Sequence, residues 1–101
     1  MEERPFQFEW DPAKAEANER KHGTSFGLAS TVFNDANLLT VADLEHSEQE
    51  PRWFSIGIAN NGAPLAVAYL WSDADPAAIK IRILSARSAT RTEIRQYEER
   101  K

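Results

Sequence analysis

Two short stretches of the chain carry side chains that could do chemistry. His46, Glu50 and Arg52 lie close together in the sequence, and Arg82 and Arg87 follow near the C-terminus. Histidine and glutamate can transfer a proton in general acid–base catalysis. The planar guanidinium of arginine can bind a phosphate through two hydrogen bonds at once. These residue types indicate acid–base chemistry at a phosphate, provided that the fold brings the two stretches together.

The first of these stretches also has a purely structural interpretation. The sequence from Asp43 to Pro51 is polar and acidic, so it can form a solvated loop in which Arg52 pairs with Glu50 at the surface. Surface ion pairs of this kind are common and contribute little to stability. Residue types alone therefore leave both interpretations open.

The composition limits what kind of protein this is. The chain has 101 residues, of which 42% are hydrophobic and 28% charged, so we expect a single globular domain over residues 1–101. It has no cysteine, and its two histidines lie in separate segments, so we expect neither a metal site nor a cofactor. Neither a signal peptide nor an apolar stretch of roughly 20 residues is visible, which predicts a cytoplasmic protein without a membrane segment.

The charge is unevenly distributed along the chain. The formal net charge is −4, which at face value argues against binding to a nucleic acid. However, the stretch from Lys80 to Lys101 has a net charge of +4, and residues 1–79 have a net charge of −8. The acidic part suits a basic protein partner, and the basic end suits a phosphate backbone.

Hydrophobic periodicity and turn signals predict an α+β fold with the order β-α-α-β-β-β-β-α. Its later strands are joined by short turns and should form an antiparallel meander, with helices packed on one face and the other face partly open. Hairpin connectivity could bring the two reactive stretches onto that open face. The predicted elements are a strand from Phe6, a helix over Pro12–His22, a helix over Ser25–Asn34, strands over Leu38–Val41, Arg52–Ala59, Pro64–Trp71 and Ile79–Ser85, and a helix over Thr90–Glu99.

Three blocks of sequence stand out: F-E-W-D-P-A-K-A-x-x-N-x-x-K-H-G-x-S-F from Phe8, D-x-E-H-S-x-x-E-x-R from Asp43, and I-R-I-x-S-A-R-x-A-T-R-x-E-x-x-x-Y from Ile81. Together they resemble the BrnT family, the toxins of a type II toxin–antitoxin system. The resemblance implies a RelE-like compact fold and a ribonuclease that cleaves mRNA, with or without the ribosome, and inhibits translation. It also implies a hetero-oligomer with a BrnA-type antitoxin, a ribbon-helix-helix protein through which alone the complex would contact DNA.

Metal-independent RNA cleavage needs a base for the 2′-OH, an acid for the leaving 5′ oxygen and cations for the phosphoryl oxygens. On this hypothesis the catalytic residues are His46, Glu50, Arg52, Arg82 and Arg87. Which residue acts as acid and which as base stays open. The open face of the sheet is expected to bind both the RNA and the antitoxin.

Further basic residues are candidates for binding RNA: Lys21, His22, Lys80, Arg91 and Arg95. Each has an alternative. Lys21 and His22 precede Gly23, as is ordinary at a helix C-terminus. Arg87, Arg91 and Arg95 are spaced by four, so on a helix they form a basic stripe that could serve solubility alone.

One residue pair and one functional alternative complete the interpretation. Lys14 and Asn18, four residues apart on the first helix, are interpreted as a solvated or partner-facing pair, with Ala13 and Ala17 on the packing face. The alternative function is a protein-binding module that sequesters the antitoxin and tunes promoter repression with little catalysis of its own. A free-standing DNA-binding protein fits poorly, because no reader motif is visible.

Overall fold

The computed structural model describes residues 4–43 and 51–100. Its elements follow the predicted order closely, with the second helix split and the last strand extended to Ser88. They are β1 (Phe6–Glu9), α1 (Pro12–His22), α2 (Phe26–Ser30), a 3₁₀ turn (Thr31–Asn34), β2 (Leu39–Ala42), β3 (Arg52–Ile58), β4 (Pro64–Ser72), β5 (Ile79–Ser88) and α3 (Arg91–Glu99). No helix in these two ranges is long and apolar enough to cross a membrane.

The strands form one mixed sheet in the order β1-β5-β4-β3-β2. The antiparallel meander predicted for the later strands is confirmed for β2 to β5, and β1, for which no pairing was predicted, adds to β5 in parallel. The pairing places Phe6 and Phe8 opposite Ile79 and Ile81. These apolar side chains then share a face, and α1, which follows β1 directly, packs back against β5. A parallel pair needs such a helical connection between its strands, and the sequence pattern of β1 alone does not reveal it.

The first helix begins and ends where local signals predict. The Asp11 side chain accepts a hydrogen bond from the Ala13 backbone N–H, and Pro12 occupies the first helical position. Gly23 ends the helix with φ at 68°, a left-handed conformation that glycine adopts without strain. The basic residues of the last turn are therefore placed as a helix C-terminus requires.

The two faces of the sheet are covered by different helices. The face that we call the helical face carries Val67, Tyr69, Ile81 and Ile83, which form the core with side chains from α2 and the 3₁₀ turn. The opposite face carries arginine side chains, described below, and we call it the arginine face. The last helix, α3, packs against β3 and is ion-paired to this second face. The prediction that all helices pack on one face is therefore wrong for α3.

The helix α3 starts with the predicted capping box. The Thr90 hydroxyl accepts a hydrogen bond from the Glu93 backbone N–H, and the Glu93 carboxylate accepts one from the Thr90 N–H. At its other end Tyr97 is buried and donates a hydrogen bond of 2.5 Å to Asp35. Burial and this hydrogen bond raise the pKa of Tyr97 to about 12, so it remains a neutral donor that ties α3 to the connection between the 3₁₀ turn and β2.

Close packing of the 3₁₀ turn against β3 depends on Gly57. A Cβ atom at this position would lie 2.6 Å from Leu38 Cδ1 and 3.2 Å from Val32 Cβ. We expect Gly57→Ala to lower the free energy of unfolding by about 1–3 kcal/mol, because the layer must shift to admit a methyl group. Chemical denaturation monitored by circular dichroism measures this change.

Gly27→Ala is the matched control for that substitution. Gly27 lies in α2, and the nearest atom to a Cβ there is 3.9 Å away. Alanine should stabilise a helix relative to glycine by about 0.5–1 kcal/mol. The two substitutions should therefore change stability in opposite directions, and equal stability of the two variants would contradict the packing argument.

Candidate active site

Arg52 and Arg82 are brought onto one face by the register of the sheet. Arg52 pairs with Leu70, Leu70 pairs with Arg82, and Arg82 pairs with Glu9, so the four residues form a row across β3, β4, β5 and β1. Neighbouring strands are about 4.8 Å apart, which puts the backbones of the two arginines about 10 Å from each other. Two cations at this distance, with only a leucine between them, can contact one phosphodiester group or two adjacent ones.

Arg87 joins the same face because of an irregularity between β4 and β5. Arg82 and Arg87 are five residues apart, and strict alternation would put them on opposite faces. The register shifts between Ala68 and Tyr69, which leaves Leu84 unpaired and returns Arg87 to the face of Arg82. Arg87 therefore belongs to β5, and the prediction that it continues a helical stripe with the arginines of α3 is wrong.

Each of the two arginines in the row is held by a carboxylate of this chain. Arg82 Nη1 lies 3.0 Å from Glu9 Oε2, and both side chains are nearly half exposed. Arg52 Nε lies 3.2 Å from Asp43 Oδ2, in a more buried position. Exposed ion pairs contribute little free energy, so a phosphate can replace Glu9 as the partner of Arg82 at small cost.

Arg87 has a different environment from the other two. Its two terminal nitrogens donate to both oxygens of Glu93 at 2.8 and 2.9 Å, and its guanidinium lies over the Phe54 ring at 5.4 Å. The ion pair lowers the pKa of Glu93 and raises that of Arg87, so both groups stay charged. Because Glu93 also caps α3, this arrangement is suited to fixing the helix on the arginine face.

The remaining basic candidates are divided between the two faces. Lys80 pairs in register with Gln7 and Ser72, which places it on the arginine face next to the row, with its ammonium 3.9 Å from Asp75. Arg91 and Arg95 are exposed on α3, on the same side of the sheet.

Lys21 and His22 are exposed at the end of α1, which packs against β5 with the helical layer. The structure does not bring them to the arginine row. They occupy the last turn before the Gly23 cap, as the structural interpretation of this segment requires.

His46 and Glu50 lie outside the described residues, so their predicted roles as proton carriers stay predictions. The described residues on either side of them meet next to the row. The Asp43 backbone N–H donates to the Arg52 carbonyl at 2.8 Å. The chain therefore enters and leaves this segment beside Arg52. Among residues 4–43 and 51–100, no group of three or more His, Cys, Asp or Glu side chains could hold a metal ion.

The prediction that Asn18 is a solvated or partner-facing residue is wrong, because its side chain is buried between α1 and β5. Its amide donates to the carbonyls of Thr24 and Ala86 and accepts from the Ala86 N–H, which ties α1 to β5. The presence of Asn18 in the motif that begins at Phe8 could have suggested a buried, hydrogen-bonded role. Its polarity instead favoured the solvated interpretation.

A small α+β domain with a helical layer on one face and a row of arginines on the other has the surface chemistry to bind a nucleic-acid backbone. A model of the family described as ribonuclease toxin, BrnT, of type II toxin-antitoxin system matches residues 10–93, and the chain belongs to this family. The match includes β2 to β5 and their arginines. A type II toxin has an antitoxin as its partner. A search of curated proteins gives no match to the chain.

Proposed function

We propose that this protein is a metal-independent endoribonuclease that cleaves mRNA and thereby inhibits translation. The observation that carries the proposal is the row on the arginine face, in which Arg52 and Arg82 lie on either side of Leu70. Membership in a family of ribonuclease toxins supports RNA as the substrate. A phosphodiester lying across Leu70 would contact both guanidinium groups.

The reaction proposed is attack by the 2′-oxygen on the adjacent phosphorus. A base removes the 2′ proton, the bond to the 5′ oxygen breaks, and an acid protonates that leaving oxygen. The products are a 2′,3′-cyclic phosphate and a 5′-hydroxyl. Arg52 and Arg82 stabilise the charge on the phosphoryl oxygens. His46 and Glu50 are the predicted proton carriers.

The surrounding cations extend the proposed RNA surface. Lys80 adds charge next to Arg82, and Arg91 and Arg95 present charge on α3 beside the same face. Arg87 is proposed to act mainly by holding α3 in place, since both of its terminal nitrogens are bound by Glu93. A contact from Lys21 or His22 would require the RNA to pass around the sheet.

The proposal includes a particular partner and cellular context. The antitoxin is proposed to be of the BrnA type, a ribbon-helix-helix protein that forms a hetero-oligomer with the toxin in the cytoplasm. Contact with DNA would occur through the antitoxin alone. The RelE-like relationship of the fold belongs to the same proposal and is supported by the antiparallel strands β2 to β5.

Cleavage of mRNA in the presence of EDTA tests the enzymatic proposal. The purified protein should cut a defined mRNA, alone or with ribosomes, and the new 3′ ends should be cyclic phosphates. Treatment with a phosphatase that opens cyclic phosphates, followed by end labelling, identifies these ends. Intact RNA under both conditions would contradict the proposed activity, and 3′-hydroxyl ends would contradict the acid–base scheme.

The protein-binding module remains a second candidate function. It is favoured by the ion pairs of the arginine face, where Arg52, Arg82, Arg87 and Lys80 all have carboxylate partners within the chain. Expression in cells distinguishes the two functions. Toxicity that survives Arg52→Ala and Arg82→Ala together, in a protein that remains folded, would favour binding over catalysis.

A further inference from the structure

The helical layer leaves one end of the helical face uncovered. Phe33, in the 3₁₀ turn, marks the edge of the layer, and a groove of about 360 Å³ lies beyond it. We call this feature the aromatic groove. It is lined by Phe6, Phe33, Thr40, Trp53, Tyr69, Trp71 and Ile81.

The aromatic groove contains large apolar side chains that are exposed to solvent. Phe6 is 44% exposed and Trp71 is 38% exposed, although both belong to strands of the sheet. Exposed aromatic side chains that converge on one groove are typical of an interaction site. The indole N–H of Trp53 is buried and has no hydrogen-bond partner in the described part of the chain. A buried indole N–H normally has an acceptor, so this residue, which lines the groove, carries an unsatisfied donor.

The chemistry around the groove favours a protein over RNA. The groove lies on the face opposite the arginines, and its Thr40 hydroxyl is already bonded to Ser55 at 3.0 Å. The loop that follows Trp71 carries Asp73 and Asp75, whose backbone carbonyls accept hydrogen bonds from Arg4, close to Phe6. The Asp75 carboxylate lies 3.9 Å from the Lys80 ammonium, so the exposed Asp73 side chain is the acidic group that this loop adds beside the groove. It would repel a phosphate backbone and attract a basic polypeptide.

We propose that the aromatic groove binds an apolar anchor side chain from a basic segment of the antitoxin. The proposal deepens the proposed function, because it rests on this chain being a type II toxin with a protein antitoxin, but it does not depend on catalysis. A type II toxin must have a surface to which its protein antitoxin binds. The groove offers exposed aromatic rings, and the Asp73 side chain beside it is exposed.

The groove lies close to the arginine row, so binding of the antitoxin there could affect the proposed cleavage of RNA. Along β3 and β5, the groove residues Trp53 and Ile81 are direct neighbours of Arg52 and Arg82. The groove therefore lies behind the arginine row, on the other side of the same strands. An antitoxin anchored there would lie against the same strands that carry Arg52 and Arg82, on their opposite face. This differs from the sequence-based expectation that RNA and antitoxin share one face.

Binding of the antitoxin to groove variants tests the proposal. The probe is the purified protein encoded by the reading frame adjacent to the toxin gene, titrated into full-length toxin by calorimetry. Trp71→Ala should raise the Kd at least about tenfold, and Phe6→Ala by about threefold or more. Val41→Ala is the matched control, because Val41 is 48% exposed but lies on the arginine face opposite Phe54. It should change the Kd less than about twofold.

A charge variant provides a test that does not remove packing. Asp73→Asn keeps the size of the side chain and the backbone contacts of the loop. It should slow association with the antitoxin about two- to threefold at low salt, and the difference should vanish at high salt. Unchanged association rates at low salt would count against a basic partner at this site.

The outcomes separate the groove from the enzymatic proposal. Folded Trp71→Ala protein, verified by thermal melting, should cleave RNA at the wild-type rate while resisting the antitoxin. A wild-type Kd for both Trp71→Ala and Phe6→Ala would overturn the inference. Slower RNA cleavage with an unchanged Kd would assign the groove to RNA and also overturn it. If the wild-type protein cleaves no RNA, the proposed function fails and the comparison of Kd values still stands.

Discussion

Replacing Asn18 with alanine is expected to cost about 3–5 kcal/mol of stability, a large part of the total for a domain of this size. The Asn18 side chain makes hydrogen bonds of 3.0 Å to the Thr24 carbonyl, 2.8 Å to the Ala86 carbonyl and 3.1 Å to the Ala86 N–H. All three are buried, and alanine leaves each backbone group without a partner. For a domain of about 100 residues such a loss lowers Tm by roughly 15 °C or more.

A second substitution separates hydrogen bonding from packing. Asn18→Asp preserves the shape of the side chain, but a carboxylate cannot donate to the carbonyls of Thr24 and Ala86, and burial disfavours its charge. We expect it to destabilise at least as strongly as alanine. Glu16→Ala, at an exposed position on the same helix, is the control and should change stability by less than about 0.5 kcal/mol. If urea denaturation shows that the Asn18→Asp variant is as stable as the wild type, then the hydrogen bonds donated by the amide do not stabilise the fold as argued.

Asn18 also shows where inference from the sequence stops. Periodicity predicted that Ala13 and Ala17 would lie on the packing face of α1, whereas both are exposed, and the buried side of α1 carries Ala15 and Asn18. A pattern read by hydrophobicity assigns asparagine to the surface. The partner that makes its burial favourable, the backbone of Ala86, comes from a strand at the far end of the chain. Only the tertiary structure brings the two together.

Features set by local sequence could be predicted more fully. The limits of α1, the capping box at Thr90 and the alternation of isoleucines in β5 depend on neighbouring residues, and all three are present. The parallel pairing of β1 and the position of α3 on the arginine face depend on contacts between distant segments. Propensity and periodicity do not encode such contacts, so the pairing of β1 was not predicted and the position of α3 was predicted wrongly.

The arginine face could be predicted from the sequence only in part. Two hairpin connections place β3, β4 and β5 side by side, which made a shared face for Arg52 and Arg82 a reasonable expectation. The position of Arg87 on that face depends on one register shift at Leu84. No residue pattern in the sequence predicts this shift. The carboxylate partners were also unforeseen, because Glu9 reaches Arg82 only through the parallel pairing of β1.

Arg82→Ala is expected to reduce the rate of RNA cleavage by about 100-fold or more. Removing one preorganised donor from a developing oxyanion typically costs about 10²–10³ in rate, and a guanidinium supplies two donors and a charge. Arg82→Lys keeps the charge without the planar fork and should recover only part of the rate. Single-turnover cleavage of a labelled RNA, with enzyme in excess, measures the chemical step apart from product release.

Arg20→Ala is the matched control for this prediction. Arg20 is also an exposed arginine in an ion pair, 2.6 Å from Glu16, but it lies on α1. Both substitutions remove one positive charge and one surface ion pair, and each should cost less than about 1 kcal/mol of stability. Equal cleavage rates for the two variants would show that position on the arginine face does not matter.

Glu9→Gln distinguishes the two tasks that the ion pair could perform. If Glu9 only occupies Arg82 until a phosphate arrives, then removing its charge should tighten RNA binding and leave the cleavage rate intact. If Glu9 holds the guanidinium in its reactive position, then cleavage should slow although binding does not weaken. The half-exposed geometry of the pair, with 3.0 Å between Arg82 Nη1 and Glu9 Oε2, favours the first result, because water already competes for both groups. In either case Arg82→Ala remains the slower enzyme, since it lacks the group that meets the phosphate.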